Sequence, residues 1–174
     1  MPAQRVLMVI DMQNGVFEDP RINRESCTSR INELIDAADK VIFIQHAEEE
    51  LKPGSAAFDI LPELHRPPEA LYVTKIACDA FYRTELDELL QENGIHAFVV
   101  CGCATDYCVD TTIKNGVSRG YAITVAADAH TTADRPALSA ETLIKQHNEV
   151  WANLSIPGNS LQVKPAGEII AGWR

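Results

Sequence analysis

The chain has 174 residues, 46% of them apolar, and a formal net charge of −10. That length suits one domain, 1–174, with a sizeable hydrophobic core, and the acidic balance argues against a nucleic-acid partner, because a phosphate backbone would be repelled. No apolar run approaches the roughly 18 to 20 residues of a membrane span, and the start, MPAQRVLMVID, lacks a signal-peptide layout because its short apolar run ends in Asp11. A soluble, cytoplasmic protein with no membrane partner is expected.

In chain order, apolar β-rich runs alternate with helical patterns. A first strand is predicted over 5–10 and a helix over 22–39. A second strand follows over 41–45, and Glu48, Glu49 and Glu50 read as a solvated turn. The third strand is predicted over 70–74 and the next helix over 84–92. Thr84 with Asp87 resembles a capping box there, and Gly94 suits the stop. The fourth strand, 97–101, breaks at Gly102, and a helix over 106–119 ends before Gly120. A fifth strand is predicted over 121–126. In the helix over 139–154, Leu143, Ile144, His147, Val150, Trp151 and Leu154 recur at helical spacing and Ser139 suits the cap. A strand over 161–163 and a short helix over 166–171 complete the pattern. Near-continuous apolar strands separated by helices imply an α/β fold with right-handed crossovers: a six-stranded, mainly parallel sheet covered on both faces.

The five cysteines (Cys27, Cys78, Cys101, Cys103 and Cys108) are odd in number in a chain of ordinary size, which argues against a disulfide framework. Cys101, Cys103 and Cys108 share one segment but have no second pair of ligands at zinc-site spacing, so no structural metal is expected. Cys27, Cys78 and Cys101 read as packing residues, and His130 and His147 as structural ones.

In open parallel sheets, ligands bind at the carboxyl ends of the strands. Three reactive residues fall there: Asp11 after VLMVI, Lys75 after ALYVT, and Cys108 a short turn after VVCGC. Cys108 would lie in the first turn of a helix, where unpaired N–H groups and the helix dipole favour a thiolate. A carboxylate beside a thiol can take its proton, and an ammonium nearby favours both ionised forms. The thiolate could then attack a carbonyl carbon, with backbone N–H groups of the Gly102–Cys108 turn holding the oxyanion. Plainer readings exist for each: a loop or cap role for Asp11, solvation for Lys75, packing for Cys108. The residues alone leave the choice open.

The stretches VLMVIDMQNGVF, IQHAEEELKPGS, VTKIACDAFYRTELDELL, VVCGCATDYCVDTT and GYAITVAADA, in that order, cover almost the whole chain. On these motifs the sequence resembles the isochorismatase-like cysteine hydrolases, a family that includes nicotinamidases and N-carbamoylsarcosine amidohydrolases. The resemblance implies a three-layer Rossmann-like fold and an Asp-Lys-Cys triad of Asp11, Lys75 and Cys108. It also implies a cis peptide between Cys103 and Ala104, and an oxyanion hole from the N–H groups of Ala104 and Cys108. Thr105 and Asp106 would hold the turn without a chemical role.

Two departures narrow the function. Nicotinamidases carry a metal site on an Asp-x-His motif after the second strand. This chain has Ile44, Gln45 and His46 there, with His65 downstream reading as a surface residue, so no metal or other cofactor is expected. Isochorismatases proper lack the nucleophilic cysteine, which is present here. The expectation is therefore a cysteine amidohydrolase that cleaves a C–N bond in a small amide, ureido or carbamoyl compound through a thioester. The alternatives are an isochorismatase-type vinyl ether hydrolase using Asp11 without the cysteine, and a non-catalytic small-molecule binding protein on the same scaffold. By resemblance, Phe17, Gln45, His46, Phe81 and Tyr82 line the substrate pocket, and the chain forms a homo-oligomer, a dimer or tetramer.

Overall fold

The protein is described by a computed structural model covering residues 3–159 and 161–174. Six parallel strands form one sheet: β1 (Val6–Ile10), β2 (Lys40–His46), β3 (Leu71–Lys75), β4 (Ala97–Cys103), β5 (Ala122–Thr131) and β6 (Gln162–Lys164). Their spatial order is β3-β2-β1-β4-β5-β6. Chain direction across the sheet therefore reverses between β1 and β4, which is where doubly wound sheets open a crevice. Five α-helices cover the faces: α1 (Arg24–Ala37), α2 (Leu86–Glu92), α3 (Asp110–Ser118), α4 (Ala140–Ala152) and α5 (Ala166–Trp173).

The apolar runs resolve into two alternating faces, as the two-residue period of a strand requires. Val6, Met8 and Ile10 of β1 pack with Leu86, Leu90, Ile113, Val117 and Trp151 of α2, α3 and α4. Leu7 and Val9 face the other way, onto Cys27, Ile31, Leu34, Ala166 and Ile169 of α1 and α5. Buried on both sides, β1 can carry no polar residue until it leaves the sheet at Asp11.

Four local expectations change. β4 does not break at Gly102 but runs on to Cys103. Gly102 lies at φ +125°, and a Cβ there would sit 2.2 Å from the Ile10 carbonyl oxygen, so the glycine permits close approach of β4 to β1. β5 continues past Ala126 to Thr131, with a register irregularity opposite Val100 and Gly102. Its second half, DAH, lacks an apolar run. The helix predicted over 106–119 starts as a π-helical turn, Thr105–Val109, before α3; such turns recur at functional sites. The capping box does not form: Thr84 Oγ1 accepts from the Leu86 N–H at 3.3 Å and donates to Ala80 O, but Asp87 accepts from Tyr121 Oη instead of reaching back. At α4, Ser139 does cap, accepting from the Thr142 N–H.

Candidate active site

Asp11, Lys75 and Cys108 come together at the carboxyl edge of the sheet. At the end of β1, Asp11 turns into a left-handed backbone conformation (φ +51°), which Asp tolerates better than most residues and which concentrates at functional sites. Its N–H donates to Ile44 O at 2.9 Å, tying the turn to β2. Lys75 closes β3 beside His46 of β2, its register partner. The bond between Cys103 and Ala104 is cis, as the resemblance implied.

Lys75 is fully buried at the centre of the cluster. Its Nζ lies 3.0 Å from Asp11 Oδ2, 2.8 Å from His46 Nδ1, 2.9 Å from Ala77 O and 3.3 Å from Cys108 Sγ. Four acceptors thus surround three ammonium protons. Burial opposes the Lys75 charge, but Asp11 and Cys108 more than offset it, and the net effect raises its pKa. Asp11 Oδ1 makes no hydrogen bond among the described residues although it is buried, so one carboxylate oxygen remains an unspent acceptor.

The expected thiolate requires correction. Burial raises the Cys108 pKa first, the Asp11 charge raises it further, and Lys75 only partly counters them. The direction favours the thiol over the thiolate in this cluster.

Ligand atoms of Asp11, His46 and Cys108 lie within 4.8 Å of one another, a spacing that could hold a metal ion. The Lys75 ammonium fills the middle of that set, so a metal there would have to displace it.

The turn carrying Cys108 is braced from outside the cluster. Thr105 Oγ1 pairs with His130 Nδ1 at 2.7 Å. Asp106 accepts from Thr132 Oγ1 at 2.6 Å and from Arg135 Nε at 3.0 Å. The N–H groups of Tyr107 and Val109 both donate to Ala104 O, while the Ala104 N–H makes no hydrogen bond among the described residues.

A family model described as the isochorismatase domain matches residues 5–153. The chain belongs to the isochorismatase family. This isochorismatase-family hydrolase is 31% identical over 149 residues to streptothricin hydrolase of Streptomyces noursei, covering 78% of this chain and 57% of that one. It is 34% identical over 93 residues to the ureidoacrylate amidohydrolase RutB of Methylorubrum extorquens, covering 53% of this chain and 38% of that one. In both cases the match spans well under two thirds of the relative's length. A crystal structure titled as an isochorismatase family protein superposes with a TM-score of 0.84 at 30% identity, covering 91% of this chain and 96% of that one.

The cavity over the cluster, about 210 Å³, is lined by residues including Asp11, His46, Cys103, Ala104 and Cys108. Of the pocket residues expected from resemblance, His46 alone lines it. Phe17 is buried in the α1 core beneath Arg24. Gln45 is also buried, donating to Phe58 O. Phe81 stacks on Tyr121 in the opposite core. Tyr82 is exposed, with Arg83 over its ring. Sequence reasoning missed Arg21, Cys78, Tyr107 and Arg135, and it read Glu48 only as part of a turn, yet all five line the cavity. Cys78 is thus a cavity residue as well as a packing one. Gln13 was missed too. Fully buried, it donates to His46 O and Phe58 O and accepts from the His46 N–H, locking the end of β2 to the 58 loop. A wider groove of about 990 Å³ opens at the other, amino-terminal edge of the strands, but no cysteine, histidine or lysine lines it.

Proposed function

We propose that this isochorismatase-family hydrolase cleaves a C–N bond in a small amide, ureido or carbamoyl compound, with Cys108 as nucleophile. Asp11 Oδ1 takes the Cys108 proton as Sγ attacks the carbonyl carbon. The N–H groups of Ala104 and Cys108 hold the oxyanion, and Lys75 compensates whichever partner, Asp11 or Cys108, carries the negative charge. Collapse breaks the C–N bond, and Asp11 returns the proton to the departing amine or ammonia. Asp11 then removes a proton from water, which attacks the acyl-cysteine. The acid is released and the thiol is restored.

The observation that carries this reading is the unspent, buried Asp11 Oδ1 in a cluster where Lys75 Nζ sits 3.0 Å from the carboxylate and 3.3 Å from the thiol. The amidohydrolase and hydrolase names of the two relatives support the same class. The test is a screen for ammonia release over small amides and ureido compounds, with intact-protein mass spectrometry for an acyl adduct. Cys108→Ala should lower turnover by at least about three orders of magnitude while the circular dichroism spectrum is unchanged. Full activity in that variant, with loss in Asp11→Asn, would overturn the covalent route in favour of the ether hydrolase.

A further inference from the structure

Building on the proposed role of Cys108 as nucleophile, we propose that His46 is a positioning residue: by accepting one proton of the Lys75 ammonium it draws that group off the sulfur and keeps the resting nucleophile a thiol. The contact itself fixes the state of the ring. An ammonium only donates, so at 2.8 Å from Lys75 Nζ the His46 Nδ1 is the acceptor. The ring is then neutral and carries its proton on Nε2; an imidazolium would set an N–H against an ammonium. Glu48 Oε2 lies 3.7 Å from Nε2, beyond hydrogen-bond distance, and its negative charge favours a proton on that nitrogen.

Strand pairing holds both ends of the contact. His46 and Lys75 are register partners on neighbouring parallel strands, so their side chains leave the sheet on the same face. The Ala47 N–H donates to Lys75 O at 2.8 Å. The Gln13 side chain accepts from the His46 N–H at 2.8 Å and donates to His46 O at 3.0 Å.

The consequence follows from counting protons. Lys75 Nζ has three to give and four acceptors around it. His46 Nδ1, Ala77 O and Asp11 Oδ2 stand at 2.8, 2.9 and 3.0 Å, and Cys108 Sγ at 3.3 Å. A thiol sulfur is the weakest acceptor of the four, so it is the one left without an ammonium proton of its own. A thiolate accepts more strongly, and a hydrogen bond to the charged form favours that form. The proton that His46 holds is therefore withheld from the thiolate. Burial, Asp11 and Cys78 oppose the thiolate and Lys75 favours it; Glu48, Arg21 and Arg135 complete the charged groups lining the cavity. Taking the imidazole away leaves three acceptors for three protons, and the third proton goes to Sγ.

Two measurements on the full chain test this without turnover. The first is nitrogen NMR at neutral pH of protein labelled at its histidines with the heavy isotope, the His46 signals being assigned by their loss in His46→Asn. Nε2 should carry the proton and Nδ1 should not; a proton on Nδ1 overturns the inference. The second is the rate at which iodoacetamide, a small neutral amide, alkylates Cys108, followed across pH and located by peptide mass spectrometry. His46→Leu removes the acceptor and keeps the space filled. Its Cys108 should react about tenfold faster at neutral pH, with the profile displaced about one unit towards acid. His46→Asn, whose amide oxygen takes the place of Nδ1, should reverse most of that gain. Slower or equal alkylation in His46→Leu overturns the inference, and so does an equal gain in both variants, which would trace it to lost packing. The proposed hydrolysis fails on different grounds. Full turnover in Cys108→Ala removes the covalent route and leaves the expected alkylation order standing. Loss of turnover in Cys108→Ala, with alkylation insensitive to His46, does the reverse.

Discussion

At the scale of single residues, Lys75 is the side chain on which most depends. A lysine with no exposed surface is tolerated only because Asp11 supplies a counter-charge and His46, Ala77 and Cys108 supply acceptors. Lys75→Met fills similar volume but leaves the Asp11 carboxylate buried without its partner. Breaking a buried pair from one side costs about 3 to 5 kcal/mol. Urea denaturation of this variant should therefore show a loss of that size, together with loss of turnover; a change below about 1 kcal/mol would mean that water replaces the ammonium. Asp11 and Lys75 were legible because each follows a run of uncharged, largely apolar residues, VLMVI in the buried β1 and LYVT in the edge strand β3. The sequence did not make Arg21 and Arg135 legible as cavity residues. Arg21 and Arg135 lie in loops, where a basic side chain aimed into a cavity has the same local sequence as one aimed at solvent. Phe17 and Phe81 show the converse: aromatics beside functional motifs, they serve the core and not the cavity.

At the scale of elements, the reach of the sequence followed burial. All six strands and five helices were legible in kind, because the central strands are apolar runs buried on both faces and the helices between them are amphipathic. Ends were less so wherever a tertiary contact decided them. β4 extends through Gly102 because the glycine lets its backbone lie against Ile10, a closeness that no propensity encodes. Gly102→Ala separates that contact from backbone strain. Gly102 and Gly120 both have positive φ, +125° and +101°, but a Cβ at Gly120 meets nothing within 4 Å, whereas one at Gly102 meets the Ile10 backbone. Gly120→Ala should cost about 1 to 2 kcal/mol and Gly102→Ala about 3 kcal/mol or more. Gly102→Ala should also lower turnover, since β4 leads directly into the Cys103–Ala104 turn. Equal melting shifts in the two variants would show that β1 and β4 can separate without consequence.

For the whole molecule, the strand order was not legible strand by strand, but the rule for parallel sheets brought three strand ends to one edge without it. Charge burial then sets how the folded state responds to pH. Burial pushes the His130 pKa down to about 4, against the bond to Asn148 that favours its charge. In the unfolded chain a histidine titrates near 6.5. Between those values the unfolded state binds a proton that the folded state refuses, so stability falls as pH falls and this loss ends near pH 4. By linkage its full size is on the order of 3 kcal/mol. On the alkaline side the sign is reversed. The buried thiols Cys27, Cys101 and Cys103 and the half-buried Cys108 all have raised pKa values, so above about pH 9 the unfolded chain releases protons that the fold retains. Lys75, also raised, adds to the loss above about pH 10.5, because its favoured charged form is present below that value and disappears as pH climbs through its folded pKa. Urea midpoints should accordingly form a plateau between about pH 6.5 and 9, with a limb on either side. The acid limb between 6.5 and 4 should flatten in His130→Gln, which removes the titrating ring. Protonation of Asp106 and Glu63, held below the usual carboxylate range by Arg135 and Arg24, should act only at lower pH and survive that substitution. A midpoint that stays level from pH 6.5 to 4.5 in the unmodified protein would mean that His130 takes up its proton inside the fold, with Thr105 and Asn148 turning to accommodate it.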